Sequence, residues 1–238
     1  MTNDLTAVER VILKISGALP RLLFVIAGPS GVGKNTIIKR LLANHPAVMD
    51  RVRTYTTRER RAGEIDGEQY HFVTKEHFRE LALEGKLLEA AGHDVYKLGD
   101  WYSMPAHLYQ DVAPDKHIVI AEVDIVGARL LRQVEPGCIT IFLTAPPLEL
   151  IRRILERPDQ HMDGKTLQGR MDAAREHIRA AREFDYLVFN EAGKLDETER
   201  EIEKIVAAER MRVRPGVDLE ALVPPEAFQV DQNQLETR

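Results

Sequence analysis

Residues 28–36 read Gly28-Pro29-Ser30-Gly31-Val32-Gly33-Lys34-Asn35-Thr36, directly after the apolar run Leu22–Ala27 and before a periodic stretch that opens at Ile37. Strand, glycine turn and helix start, in that order, make a phosphate-binding loop. Glycines without Cβ let successive backbone N–H groups turn inward on an anion, the following helix adds the positive end of its dipole, and Lys34 supplies a full charge for the terminal phosphates. Every residue from Gly28 to Thr36 is therefore a candidate for binding a nucleoside triphosphate. The usual pattern places a Ser or Thr directly after the lysine, its hydroxyl directed at magnesium. Here Asn35 holds that place and Thr36 comes one residue later.

Working outward, three more short apolar runs fit buried parallel strands: His117–Val123, Ile139–Leu143 and Tyr186–Phe189. Helical patterns fall between them, over Asn35–Ala43, Asp124–Gln133, Leu148–Arg157 and Lys194–Arg212. The last carries Leu195, Ile202, Ile205 and Val206 on one stripe amid dense charge. Alternating strands and helices predict an α/β fold, a doubly wound parallel sheet with helices on both faces and the ligand at the carboxyl ends of the strands.

Two stretches break that rhythm. Residues 51–105 are rich in Thr, Arg, Gly and aromatics and predict an inserted mixed or antiparallel subdomain with a helix over Glu76–Glu84. Residues 151–170 carry Arg152, Arg153, Arg157, Lys165 and Arg170 around the loop Pro158–Gly164. Charge runs are ordinarily solvated helix faces, but beside a phosphate loop arginine-bearing segments commonly cover the bound triphosphate and exclude water. The expected organisation is an N-terminal helical extension over 1–19, a domain over 20–210 and a C-terminal tail over 211–238. Within the domain, 20–50, 106–150 and 171–210 form the core, 51–105 the acceptor-binding insert and 151–170 the lid. The extension places Val8, Val11, Ile12 and Ile15 at helical spacing, and the tail is dominated by Pro, Asp, Glu and Gln.

The 238 residues, 44% hydrophobic, suffice for one substantial core. A net charge of -5 argues against general nucleic-acid binding, which needs a basic field to displace counterions. The single cysteine, Cys138, adjoins the Ile139–Leu143 run and reads as a small buried hydrophobe. The opening residues show neither a basic start nor a long apolar core, and no segment approaches the ~20 apolar residues that span a bilayer. A cytoplasmic protein with no membrane partner is expected.

The segment Thr54-Tyr55-Thr56-Thr57-Arg58-Glu59-Arg60-Arg61, continuing through Gly63-Glu64, Asp66-Gly67 and Tyr70-His71-Phe72, resembles the signature of guanylate kinases, P-loop enzymes that phosphorylate GMP with ATP. The resemblance continues through Gly85–Glu89, Asp100–Ser103, Glu122–Ala128, Phe142–Pro147, the arginine-bearing segment and Phe184–Asn190, and so covers most of the chain. The residue types suit the chemistry. Arg58 and Arg61 offer planar forks that match the oxygens of a phosphate monoester, and Tyr70 and Tyr102 can donate neutral hydrogen bonds.

The resemblance implies that these four grip the acceptor phosphate, that Glu89 reads guanine N1–H and the exocyclic amine with help from Thr54, and that Glu122 and Asp124 lie near the acceptor nucleoside. It implies Mg2+, approached through water by Thr36 and Asp124, and a catalytic set of Lys34, Arg153, Arg157 and Arg170. ATP and a nucleoside monophosphate, most simply GMP, are the implied substrates. The chain departs from the family pattern at Trp101-Tyr102-Ser103-Met104, where a hydroxyl expected to touch the guanine carbonyl becomes a thioether unless Ser103 replaces it, and at Ala90 after Glu89. The phosphate grip is kept while the base-reading positions change. Two other functions share these features: a kinase for another phosphorylated acceptor such as a ribose phosphate, and a non-catalytic module that binds a partner through the acceptor cleft.

Overall fold

A computed structural model describes residues 21–29, 31–61, 63–88, 99–155 and 178–212. Ser30, Glu89, Ala90, Arg157 and Arg170 lie outside the described residues, as do the expected N-terminal helix, residues 156–170 of the expected lid and the tail from 213 on.

In chain order, β1 (Leu22–Ala27) leads through the glycine loop into α1 (Lys34–Asn44), followed by β2 (Met49–Arg51), β3 (Thr54–Thr56), β4 (Tyr70–Phe72), α2 (Lys75–Leu83) and β5 (Tyr102–Ser103). Then come β6 (Ile118–Glu122), α3 (Ile125–Val134), β7 (Ile139–Thr144), α4 (Pro147–Leu155), β8 (Tyr186–Phe189) and α5 (Leu195–Met211). The strands make a five-stranded sheet of order β2-β6-β1-β7-β8, parallel throughout, and a separate three-stranded sheet of order β4-β3-β5. In the small sheet β3 pairs parallel with β4 and antiparallel with β5, the mixed insert that the sequence predicts.

Each central strand is buried on both sides, which is why it reads as an unbroken apolar run. One set of alternate residues, Leu22, Phe24 and Ile26 of β1 with Ile118 and Ile120 of β6, packs against Ile37, Ile38 and Leu41 of α1 and Ile202 and Val206 of α5. The other set, Leu23, Val25, Val119 and Ala121, packs against Ala128 and Leu131 of α3. Helices thus cover both faces. Cys138 belongs to that second cluster, and burial pushes its thiol up to about 11. The insert has a small core of its own, in which Trp101 meets Phe78 edge to face at 5.7 Å.

β2 is the one core strand that the apolar runs did not reveal. Its three residues are Met49, Asp50 and Arg51, so the pattern holds only one apolar position, and its pairing with β6 supplies what local sequence does not. The strand ends at Arg51, where the sequence places the start of the insert. Since the chain visits β2 and β6 on one side of β1 and β7 and β8 on the other, the loop after β1 lies where the winding reverses. The carboxyl ends of all five strands gather there: Ala27, Arg51, Glu122, Thr144 and Phe189.

Among the described residues no helix is long and apolar enough to cross a membrane.

Candidate active site

The phosphate loop is set by backbone contacts that exclude side chains. Gly28 has φ +153°, and a Cβ there would stand 2.0 Å from the carbonyl oxygen of Leu143 on β7, so only glycine lets the loop leave β1 this closely against its neighbour. Gly33 sits at the N-terminus of α1 in the left-handed region, φ +100°, and contributes no side-chain cap. The first-turn N–H groups of α1 therefore face an incoming anion.

Asn190, the residue after β8, closes the back of the loop. Its Nδ2 donates to Val32 O at 2.7 Å, its Oδ1 accepts from Thr198 at 3.2 Å, and its own N–H donates to Thr144 O at 2.7 Å. It ties the loop to β7 and α5. The sequence gives Asn190 no role because its partners are far along the chain.

Lys34 folds over its own loop, Nζ donating to Gly28 O at 2.9 Å and Pro29 O at 3.3 Å. The ammonium is thus held against the loop that it follows. Arg153, expected in the arginine-bearing segment, is described on α4 and also braces the loop: Nη1 donates to Val32 O at 3.2 Å, and Nη2 donates to Asn190 O at 2.9 Å and to the Glu149 carboxylate. Thr36 is exposed on the first turn of α1, whereas Asn35 turns inward with a buried Oδ1 that has no hydrogen-bond partner.

On the acceptor side, Arg58 follows β3 and Tyr70 and Tyr102 come from β4 and β5. The Arg58 guanidinium lies 5.6 Å from the Tyr70 ring centroid, and the Tyr70 and Tyr102 rings meet at 6.2 Å. Three of the four expected grip residues are thus brought together. The fourth, Arg61, is exposed in the following turn, where its N–H donates to Glu64 Oε2 at 2.9 Å. Arg58 Nη2 meets both Glu64 oxygens at 2.9 and 3.0 Å. Burial alone would raise the Glu64 carboxyl, but the Arg58 hydrogen bonds, the Arg61 N–H and the nearby positive charge outweigh it and hold it below the usual range. Tyr70 is pushed up to about 12, chiefly by burial and next by the charge of Glu122, so it stays a neutral donor at any physiological pH.

Glu122 ends β6 beside β2 and accepts from Arg51 Nη2 at 3.3 Å. Asp124 caps α3, its Oδ1 accepting from Gly127 N–H at 2.7 Å, which commits one of the two carboxylate oxygens. Thr54 is half-buried on β3, paired with Tyr70.

Met104 corrects the sequence reading. It does not line an open base site; its side chain is fully buried in the cluster with Leu23, Val25 and Val119. Ser103 is also fully buried, its hydroxyl donating to Met104 O at 3.1 Å. The hydroxyl that would substitute for the lost one is turned to the backbone in this structure.

The family model described as Guanylate kinase matches residues 21–209. A guanylate kinase of Symbiobacterium thermophilum is 36% identical over 200 residues, covering 83% of this chain and 90% of the relative. One of Synechocystis is 35% identical over 188 residues, covering 79% of this chain and 94% of the relative. Among solved structures, the guanylate kinase from Anaplasma phagocytophilum aligns with a TM-score of 0.64 at 25% identity, covering 86% of this chain and 94% of that one.

Proposed function

The chain belongs to the guanylate kinase family, and we propose that it transfers the terminal phosphoryl group of ATP to GMP, giving ADP and GDP. The observation that carries this reading is a glycine-built phosphate loop after β1 together with an Arg58–Tyr70–Tyr102 cluster suited to a second phosphate, in which Tyr70 lies within the field of Glu122, the partner of Ile26 just before the loop. Two anion sites on one domain suit a reaction in which two phosphates meet.

An oxygen of the acceptor phosphate attacks the γ-phosphorus, the bond to the β–γ bridging oxygen breaks, and ADP leaves. Such transfer asks the protein for positioning and charge neutralisation more than for covalent chemistry. Lys34 moves from the loop carbonyls onto the terminal phosphates. Arg58 and Arg61 hold the acceptor phosphate, with Tyr70 and Tyr102 donating neutral hydrogen bonds. Arg153 keeps the loop in place through Val32 and Asn190, and Arg157 and Arg170 supply further positive charge from residues 151–170, which serve as the lid. Residues 51–105 form the acceptor-binding insert within a catalytic domain over 20–210. Glu89 and Thr54 read the guanine, and Glu122 and Asp124 border the nucleoside.

Magnesium, when bound, would neutralise charge that builds on the leaving and transferring oxygens. The residues present fit it. Asn35 Oδ1 is a buried oxygen with no partner in the place where the usual hydroxyl stands. An ion of this kind is ordinarily held by one or two protein oxygens, water and substrate phosphates. Asn35 Oδ1 would thus hold the ion, with Thr36 and Asp124 acting through water.

The test is ATP consumption with magnesium and a panel of GMP, IMP, AMP and ribose 5-phosphate. Preference for GMP is expected. Turnover of ribose 5-phosphate alone would replace the acceptor assignment, and no turnover of any acceptor would leave a binding module.

A further inference from the structure

Buried polar side-chain atoms without a partner lie, among the described residues, on three side chains: Asn35, Arg51 and Gln69. Asn35 is explained by magnesium. Arg51 is the unexpected one. It ends β2 at 4% exposure, at the carboxyl edge of the sheet, with Nε and Nη1 both buried and unpaired.

A buried charge-bearing donor left without a partner destabilises the fold, so a guanidinium with two such groups is not explained by packing. Backbone pairing to Ile120 would serve any residue at this position. Nor is the neighbouring arginine comparable: Arg53 donates to the carbonyls of Gly67, Arg51 and Asp111 and pairs with Asp50, a wholly structural set. The single Arg51 contact, Nη2 to Glu122 at 3.3 Å, is long for a charge-assisted bond and leaves the rest of the fork unused.

Arg51 stands next to the acceptor grip. Tyr70 links the two: its ring carries Arg58 at 5.6 Å, and its hydroxyl lies within the fields of both Arg51 and Glu122. The grip is also short of charge, because Glu64 occupies Arg58 with both oxygens. A phosphate monoester brings nearly two negative charges. Arg51 also borders a cavity of ≈ 350 Å³ together with Lys39, Asp50, Arg53, Glu68, Gln69 and Gly63, the last in the turn between Arg61 and Glu64.

We propose that Arg51 is a third cationic donor to the acceptor phosphate, binding it through Nε–H and Nη1–H beside Arg58 and Arg61 while Glu122 steadies Nη2. This rests on the reading of the cleft as a GMP site. Two other roles are available to the same atoms: holding Glu122 in place for the nucleoside, or bridging to the unpaired Gln69 Oε1 through water.

Calorimetric titration of the full chain with GMP and, separately, with guanosine distinguishes them. Arg51→Met should weaken GMP binding by about tenfold or more and guanosine binding by less than about twofold. Arg51→Lys, which keeps the charge but not the fork, should fall between. Equal losses for both ligands would assign Arg51 to Glu122, and no loss would assign it to water; either overturns the proposal. Should both variants fail to fold, the wild-type chain decides. The Arg51 Nε–H resonance should move on adding GMP and not on adding guanosine, and a signal unmoved at GMP saturation overturns the proposal. Failure of the wild type to bind GMP at all would instead remove the kinase reading, before any variant is made.

Discussion

The phosphate loop and the acceptor grip meet at one sheet edge but are held by different forces. The loop is held by steric exclusion and by donors on backbone carbonyls: Gly28 against Leu143 O, Asn190 and Arg153 on Val32 O, and a helix start left open. The grip is held by charges bound to one another, Arg58 to Glu64 and Arg51 to Glu122. A site of the first kind is complete before its ligand arrives. A site of the second kind must exchange internal ion pairs for substrate, so its affinity is a difference between two electrostatic states. Substitutions on the loop side should therefore act on turnover or on the KM for ATP, and those on the acceptor side on the KM for GMP and on pH dependence.

The largest effect is expected at Lys34. Lys34→Ala removes the one cation carried by the loop and should lower kcat/KM by about 10²–10³, roughly 3–4 kcal/mol, with the melting temperature little changed. Its partners include the loop carbonyls Gly28 O and Pro29 O. A variant that keeps more than about a tenth of wild-type turnover, a loss below roughly 1.4 kcal/mol, would show that the loop's backbone alone carries the charge.

Next comes Met104, where fold and site separate. Because its side chain is fully buried in the cluster below the sheet, Met104→Ser should cost about 2 kcal/mol of stability or more, read as a fall in denaturant midpoint. The ratio of kcat/KM for GMP over AMP should stay near that of the wild type. A sharpened preference for GMP with stability unchanged would return Met104 to the base site.

That residue also marks where the sequence stopped being legible. Four of the five core strands were readable because strands buried on both faces are continuous apolar runs, and the glycine loop was readable because its spacing is fixed by local geometry. Met104, Asn190 and Arg51 were not. Each owes its role to partners distant in sequence: Asn190 reaches Val32 across 158 positions, and Arg51 reaches Glu122 across 71. Residue type and spacing give candidate ligands, but not whether a side chain faces a cleft or a core.

Asn190→Ala should have an intermediate effect. It removes the Nδ2 bond to Val32 O and the acceptor of Thr198, for about 1–2 kcal/mol of stability, and loosens the loop, so the KM for ATP should rise more than the KM for GMP. Equal rises would mean that the two sites are not separately braced.

The smallest effect, and the sharpest on the comparison, is expected from Glu64→Gln. The amide still offers an oxygen to the Arg61 N–H but no negative charge to Arg58 or to an approaching phosphate. Losing one like charge near a dianion is worth about 1 kcal/mol at a partly solvated site, so the KM for GMP should fall by roughly fivefold at neutral pH. Stability should move the other way and depend on acid. The carboxyl is held below its ordinary range in the folded chain, so it contributes stability above the unfolded value, and that contribution is lost as pH falls through the depressed one. Wild type should therefore melt higher than Glu64→Gln at pH 7, with the gap closing on acidification. A higher KM for GMP in the variant would mean that Glu64 aims Arg58 at the phosphate instead of competing with it, and the acceptor grip would then be preorganised in the same sense as the loop.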